Sequence, residues 1–392
     1  MPRQYLSEID SKLSKQDIDS FDKAVFILHD QLNLSVWPDW IKEEKPLLIF
    51  IESRAKGEEL PYHKMKATYV LSSMRHFALE CSDDGYPVYY HSTKGHFDEG
   101  IEELLKSFDG EFSYMTPSEL DTRERLRSLS DTLSCEINEI PNGFFFADAQ
   151  KWKEKIEPGY RMEYFYRDMR RETGYLMNGD DPEGGEWNYD DQNRESLPKN
   201  HPVPDIPAFE PDPITKEVIE LVEDYFSDSF GNLDHFPYAV TRKGALQMLD
   251  KFIDERLDEF GPYEDALKLD DYQLFHSQLS LYMNSGLLTP WEVCERALEA
   301  YDAEEARLNS VEGFIRQILG WREFIRIYYE AMMPDVREAN HFGFEGKLPK
   351  IFWTGDTKMK CMEQSLKPVI DEGYSHHIQR LMVTGNFALL AG

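Results

Sequence analysis

Five apolar runs of strand length recur within the first 140 residues, and segments with helical character lie between them. The runs are Ala24–His29, Pro46–Ile51, Tyr86–Tyr90, Glu111–Met115 and Ser134–Ile137. Between the second and third, Tyr62–Glu80 places Met65, Tyr69, Ser72 and Phe77 at helical spacing, and an amphipathic segment (97–108) follows the third. Pro117–Leu126 opens with a Pro-Ser-Glu helix start. Parallel strands need a crossover of a dozen or more residues, usually a helix. The alternation therefore predicts a parallel sheet with flanking helices, an α/β domain over 24–150, after a polar leader at 1–23.

Residues 151–211 change character. Lys151, Lys153, Lys155, Arg161, Arg167, Arg170 and Arg171 cluster, and a polar stretch rich in Gly and Pro follows them. That stretch holds too many breakers for regular structure and reads as a long interdomain connector. From 212 to 392 the pattern is helical. Asp212-Pro213 caps a helix through about Asp228. Further 3.6-residue periodicities run near 241–259, 271–285, 290–305, 309–332, 357–372 and 375–390. An all-α second domain is expected. The chain stops on the apolar GNFALLAG, which predicts a further segment beyond it.

Charge limits the partners. With 43 Lys+Arg against 74 Asp+Glu the net charge is −31, and phosphate backbones need clustered cations. The last 80 residues are nearly neutral, so the acidity lies in the rest and leaves a different surface at the C-terminal end. An apolar content of 41% argues against a disordered acidic chain. No run approaches the roughly 20 apolar residues of a membrane span, and the N-terminus has no signal core, so a soluble, cytoplasmic protein with no membrane partner is expected. Cys81, Cys135, Cys294 and Cys361 lie far apart without a CxxC, which argues against a disulfide framework.

Three segments carry candidate chemistry. In FHSQLSLYMNSGLLTP, Ser277 and Ser280 stand at i and i+3 at a helix start. Two hydroxyls beside free N–H groups can hold a phosphate, while the plainer reading makes Ser277 a cap. In VEGFIRQILGWREFIRIYY, Gln317 and Trp321 stand at i and i+4 with Arg322 and Arg326 beside them. The alternative there is a core helix with a solvated Arg face. In GYSHHIQRLMVTGNFALL, a helix puts His377, Arg380 and Thr384 on one stripe, with His376 adjacent. A His near a fixed cation should have a lowered pKa and suits proton exchange. Adjacent histidines diverge by about 100° on a helix and make a poor metal site, and a buried hydrogen-bonded pair is the competing reading.

Taken in order, these segments, together with LHDQL near the start, YFYRDMRRETGYLMNG in the connector and FWTG, resemble the photolyase/cryptochrome superfamily. The likeness is greatest to its bacterial iron–sulfur branch, which includes prokaryotic (6-4) photolyases, and it runs from about residue 24 to 392. The resemblance implies an N-terminal α/β domain, a connector and an all-helical FAD domain, acting as a monomer on UV-damaged DNA. It implies FAD contacts from Ser277, Leu279 and Ser280, with Tyr263 in the preceding loop. Gln317, Trp321, Arg322, Arg380 and Asn386 would line the flavin and lesion pocket. Gly320 makes the Gln-to-Trp spacing one residue longer than in animal-type relatives.

The pair His376-His377 resembles (6-4) enzymes, where cyclobutane-dimer photolyases usually carry Asn. A (6-4) photoproduct needs a proton moved as well as an electron delivered. His377, with His376 beside it, is the implied general acid, and Arg380 would keep the flavin region electropositive. Trp353 matches an electron-transfer tryptophan. Cys361 matches the first ligand of the family's [4Fe–4S] cluster, whose other three cysteines would fall beyond Gly392. A four-thiolate cluster cannot form from one cysteine. A lumazine-type antenna is implied for the N-terminal domain, where Glu52 and Asp30-Gln31 are kept. Lys56 replaces an acidic residue there, and Tyr62-His63-Lys64 replaces a His-His-Lys run. The leading expectation is light-driven repair. A cryptochrome-like photoreceptor and a fragment that holds FAD weakly are the alternatives.

Overall fold

In the computed structural model, which describes residues 5–391, five strands pair in the order β3-β2-β1-β4-β5, all parallel. They are β1 Lys23–Phe26, β2 Leu47–Ser53, β3 Val88–Thr93, β4 Glu111–Met115 and β5 Glu136–Ile140. Every residue of β2 is buried, as a strand covered on both faces requires. At the edge, β5 carries Glu136 and Glu139, and charge there discourages further pairing. One face packs Phe26, Leu28, Ile49 and Ile51 against Phe97, Ile101 and Leu105 of the helix Phe97–Leu104 and the residue that follows it.

The described residues divide into two compact units. One contains the chain up to Phe144 with Ala208–Ala245 and Leu281–Leu288, and the other contains Phe145–Pro207, Leu246–Ser280 and the chain from Thr289 on. The contacts therefore do not divide at residue 212. The helix Pro213–Tyr225 starts as its sequence predicts, with Asp212 accepting from the Thr215 N–H at 2.8 Å. It buries Val218, Leu221 and Val222 against Leu71 of the helix Lys64–Asp83, inside the sheet-bearing unit. The leader is not simply solvated: Leu6 and Ile9 are buried, and Glu217 accepts from the N–H groups of Ser7 and Glu8. Within the connector, the helix Met162–Thr173 is regular, and the polar stretch after it holds only a two-residue hairpin and short turns.

Beyond residue 212 the regular elements among the described residues are helices, with one isolated bridge, Lys268 with Asp271. No helix among the described residues is long and apolar enough to cross a membrane.

Gly286 joins two parts of the first unit. Its φ of +86° lies in the left-handed region, and a Cβ there would sit 2.8 Å from the Leu32 nitrogen and from the Phe144 ring. The Leu32 N–H donates to the Ser285 carbonyl at 3.0 Å, so the backbones cannot separate freely. Gly286→Ala should cost about 1–3 kcal/mol, read as a lower urea midpoint. An unchanged midpoint would show that this turn yields.

Candidate functional site

The second unit holds a loop of strained backbone. Asp270, Leu274 and Gln278 adopt φ of 59°, 44° and 55°, a left-handed conformation that residues with side chains rarely take and that clusters at functional sites. Arg256 clamps this loop. Its guanidinium is buried, donates to the carbonyls of Leu274, His276 and Pro204, and leaves Nε without a partner.

That backbone corrects one expectation. Ser277 and Ser280 do not share a helix face, because the left-handed Gln278 separates them and the helix runs only from Ser280 to Ser285. No helix fills 271–279. Ser277 Oγ accepts from the Leu279 N–H at 3.3 Å, a local turn bond, while Leu279 is buried and Ser280 exposed. Tyr263 packs its ring on His201 and Phe275, with centroids 4.9 and 5.6 Å apart.

Against this loop lies a pair of histidines that the sequence did not bring together. His276 and His376 stack with ring centroids 4.4 Å apart and planes 13° from parallel. His376 is 3% exposed and neither of its ring nitrogens has a partner among the described residues; His276 Nε2 and Gln379 Oε1 are also buried without one there. Burial pushes His376 down to about 4, and its neighbour His377 adds to this. Burial, then His376 and His377, holds His276 far below its ordinary value. Both rings are therefore neutral near pH 7. Buried polar atoms are almost always paired, so these orphans mark a place built to receive a polar ligand, and the residues present fit a cofactor such as FAD. The adjacent histidines are not a hydrogen-bonded pair: His376 faces His276, and His377 is exposed. Burial lowers His377 too, with Arg380 and Arg316 acting in the same direction and Asp265 against them.

The extra residue before the tryptophan has a structural answer. Arg316–Arg322 is a π-helix between the α-helices Leu308–Ile315 and Glu323–Met332. A π-helical turn takes in more residues than an α-helical one, so the wider turn accommodates an extra residue between Gln317 and Trp321. Glycine suits the position because a Cβ would lie 3.0 Å from Met162 Sδ and 3.4 Å from Tyr166. Gln317 Nε2 donates to Glu264 Oε1 and to the Gly313 carbonyl, both at 3.0 Å. Trp321 is exposed. Arg322 is bound to Glu323 at 2.8 Å and lies 4.3 Å over the Phe145 ring. That engagement serves packing rather than an open pocket.

Gln379–Gly385 is a second π-helix, followed by the helix Asn386–Ala391. Arg380 donates to the Ser375 carbonyl at 3.2 Å, and Asn386 donates to the Met382 carbonyl at 3.2 Å. Trp353 is 53% exposed on the short helix Ile351–Thr354. Cys361 is an exposed free thiol, whereas Cys81, Cys135 and Cys294 are buried. No group of three or more His, Cys, Asp or Glu among the described residues could hold a metal ion. These residues do not fit a [4Fe–4S] cluster.

The first unit has a cavity of about 110 Å³ at the carboxyl ends of β1 and β2, where open α/β sheets place their ligands. His29, Glu52, Lys56, Tyr62, Lys66 and Phe97 line it. Lys56 pairs with Glu59 and Glu119, Lys66 Nζ lies 4.5 Å over the Tyr62 ring, and Asp30 Oδ1 is buried without a partner. Glu52 is spent on Arg75 and Tyr90.

Sequence reasoning missed His276, Arg256 and Glu264. His276 stands directly before Ser277 and could have been found from that adjacency. Glu264 gave no signal, being one acid among 74.

Residues 25–238 match the family described as deoxyribodipyrimidine photo-lyase-related protein. The chain is 40% identical over 382 residues, 94% of its own length and 75% of the relative's, to a (6-4) photolyase of Agrobacterium fabrum. An uncharacterized protein of Acanthamoeba polyphaga mimivirus is 36% identical over 114 residues, 29% of this chain and 87% of the relative. A bacterial class III photolyase from Agrobacterium tumefaciens superposes with a TM-score of 0.61 at 16% identity, covering 94% of this chain and 72% of that one. A cryptochrome from Synechocystis sp. superposes at 0.64 with 12% identity, covering 91% and 72%. At such identities the structural likeness shows the fold alone.

Proposed function

Because the chain belongs to the deoxyribodipyrimidine photo-lyase-related family, we propose that it carries out light-driven repair of (6-4) pyrimidine photoproducts in UV-damaged DNA. The observation that carries this reading is the buried, stacked pair His276 and His376, with His276 Nε2 and both His376 ring nitrogens lacking partners among the described residues and His377 exposed beside it. Buried polar atoms left without partners suit a polar ligand, and a titratable group stands next to them in the chain. FAD, when bound, supplies the light-excited electron.

The chain's own residues do the rest. Ser277, Leu279 and Ser280, with Tyr263, would hold FAD, and the Nε–H of Arg256 and the acceptor Nε2 of His276 lie at the same loop. Gln317 and Trp321 meet the damaged base once it leaves the stack, a step that costs least at a lesion. His377 gives up the proton. Arg380 contributes positive charge nearby, and Asn386 and Arg322 support the helices on which these groups stand. Trp353 is an aromatic group at the surface through which electrons can enter. In the first unit, the cavity lined by His29, Tyr62, Lys66 and Phe97 has the aromatic walls that a lumazine-type antenna needs.

The test is repair per absorbed photon on defined oligonucleotides carrying a (6-4) photoproduct or a cyclobutane dimer, with FAD added and its binding measured. Light-dependent loss of the (6-4) lesion alone is expected. Flavin binding and photoreduction with no repair of either lesion would favour a blue-light photoreceptor, the reading that the net charge of −31 supports.

A further inference from the structure

We propose that Glu264 is a positioning residue that locks the Gln317 amide, so that the pocket presents a carbonyl acceptor to the damaged base, and that protonation of Glu264 releases the lock. The inference rests on the repair reading of this pocket. Its geometric core does not depend on that reading.

Both N–H groups of the Gln317 amide are spent inward, one on Glu264 and one on the Gly313 carbonyl. Its Oε1 has no partner among the described residues. Without the Glu264 carboxylate, only the Gly313 carbonyl would oppose a turned amide. The carboxylate adds to that opposition, because an ionised carboxylate accepts hydrogen bonds and cannot donate. Glu264 is itself fixed from the far side, where Asn193 Nδ2 approaches Oε2 at 3.4 Å. Asn193 is 2% exposed and is held in turn by Asn309, whose Nδ2 donates to it at 2.9 Å. A chain of three amides and one carboxylate thus runs from Asn309 through Asn193 and Glu264 to Gln317 on the π-helix.

The charges around Glu264 set its ionisation. Burial raises its carboxyl to about 7; Arg316 opposes the rise, and Asp265 and Asp190 add to it. Arg316, on the π-helix, is shared with Glu312 and Asp190. His276 bonds to the Glu264 backbone, and His377 feels Asp265 and Arg316 from the other side. An acid is ionised above its pKa, so the lock is closed at higher pH and loosens as pH falls through about 7. A neutral carboxyl holds the Gln317 N–H with roughly half the strength of a charged one. The pocket should then favour a base edge that donates an N–H or O–H, and should do so more sharply above neutrality.

Two measurements on the 392-residue chain test this. The first needs no DNA: the side-chain amide resonances of Gln317, assigned with Gln317→Ala, are followed by NMR from pH 5.5 to 8.5. They should move with a midpoint near 7 in the wild type and stay flat in Glu264→Gln, which keeps the shape and removes the charge. Resonances that do not titrate near 7, or that titrate equally in the variant, overturn the inference. The second is affinity for a (6-4) oligonucleotide relative to undamaged duplex over the same range. It should rise about 10-fold through pH 7 in the wild type and be low and pH-independent in Glu264→Gln. A purely structural role would lower affinity without flattening the profile. Titrating amide resonances with no lesion preference at any pH would support the lock and overturn the repair reading.

Discussion

Replacing His377 with alanine is expected to lower (6-4) repair per absorbed photon by about 10²–10⁴-fold, the usual contribution of a positioned general acid. Flavin content and photoreduction should be unchanged. The assignment follows from how the two histidines part. His376 is stacked on His276 and buried, with its ring turned away from solvent. His377, one residue on, is exposed at the start of the helical run with Arg380 one turn away. Only the second ring is placed to meet a base arriving from outside.

The pH dependence has a fixed sign. Burial, Arg380 and Arg316 lower the His377 pKa against the pull of Asp265. The imidazolium form is therefore present only at acid pH, and the proton-donating limb should weaken as pH rises through a value below the ordinary 6.5. The low pKa also makes the protonated ring the stronger acid. His376→Ala should cost no more than about tenfold, because it removes the stacking partner of His276 and not the donor. Unchanged repair in His377→Ala, with flavin content equal, would remove this residue from the mechanism.

The strand-and-helix alternation was legible because each strand run is short, apolar and separated from the next by a crossover. The five-stranded parallel sheet follows from that pattern. The helix at Pro213 was legible for the same kind of local reason, since Asp212 and Pro213 are adjacent cap signals. Where it packs was not, because Val218, Leu221 and Val222 form an apolar stripe that says nothing about which partner covers it. The loop before Ser280 was misread as helix because Ser277 and Ser280 have the right spacing. The left-handed Gln278 that breaks it has no signature in a residue type that rarely adopts such a φ. The π-helix at Gly320 was visible only as an odd spacing. The stacking of His276 on His376 joins residues 100 apart in the chain, and nothing local could reveal it.

A larger effect on stability is expected from Arg75→Met, about 3–5 kcal/mol, the cost of stripping the counter-charge from buried carboxylates. Arg75 and Glu52 are fully buried and meet through two bonds, at 2.7 and 3.2 Å, while Arg75 Nη1 reaches Glu217 at 3.0 Å. Burial disfavours the guanidinium charge, yet Glu52 and Glu217 outweigh it and hold the group charged beyond its ordinary range. The cluster ties four parts of the first unit. Glu52 lies near the end of β2, Tyr90 on β3 donates to it at 2.7 Å, Arg75 comes from the helix Lys64–Asp83, and Glu217 from Pro213–Tyr225 also receives the Ser7 N–H at 2.9 Å. Methionine fills much of the arginine volume but leaves two buried carboxylates without their shared counter-charge. Urea unfolding followed by a probe in this unit should show the loss. The triple variant Arg75→Met, Glu52→Gln, Glu217→Gln should recover most of it, because an uncharged cluster has no uncompensated ion. A loss below about 1 kcal/mol in Arg75→Met would mean that water reaches the carboxylates. In that case the wall of the β1–β2 cavity, which Glu52 lines, is not held by this ion pair.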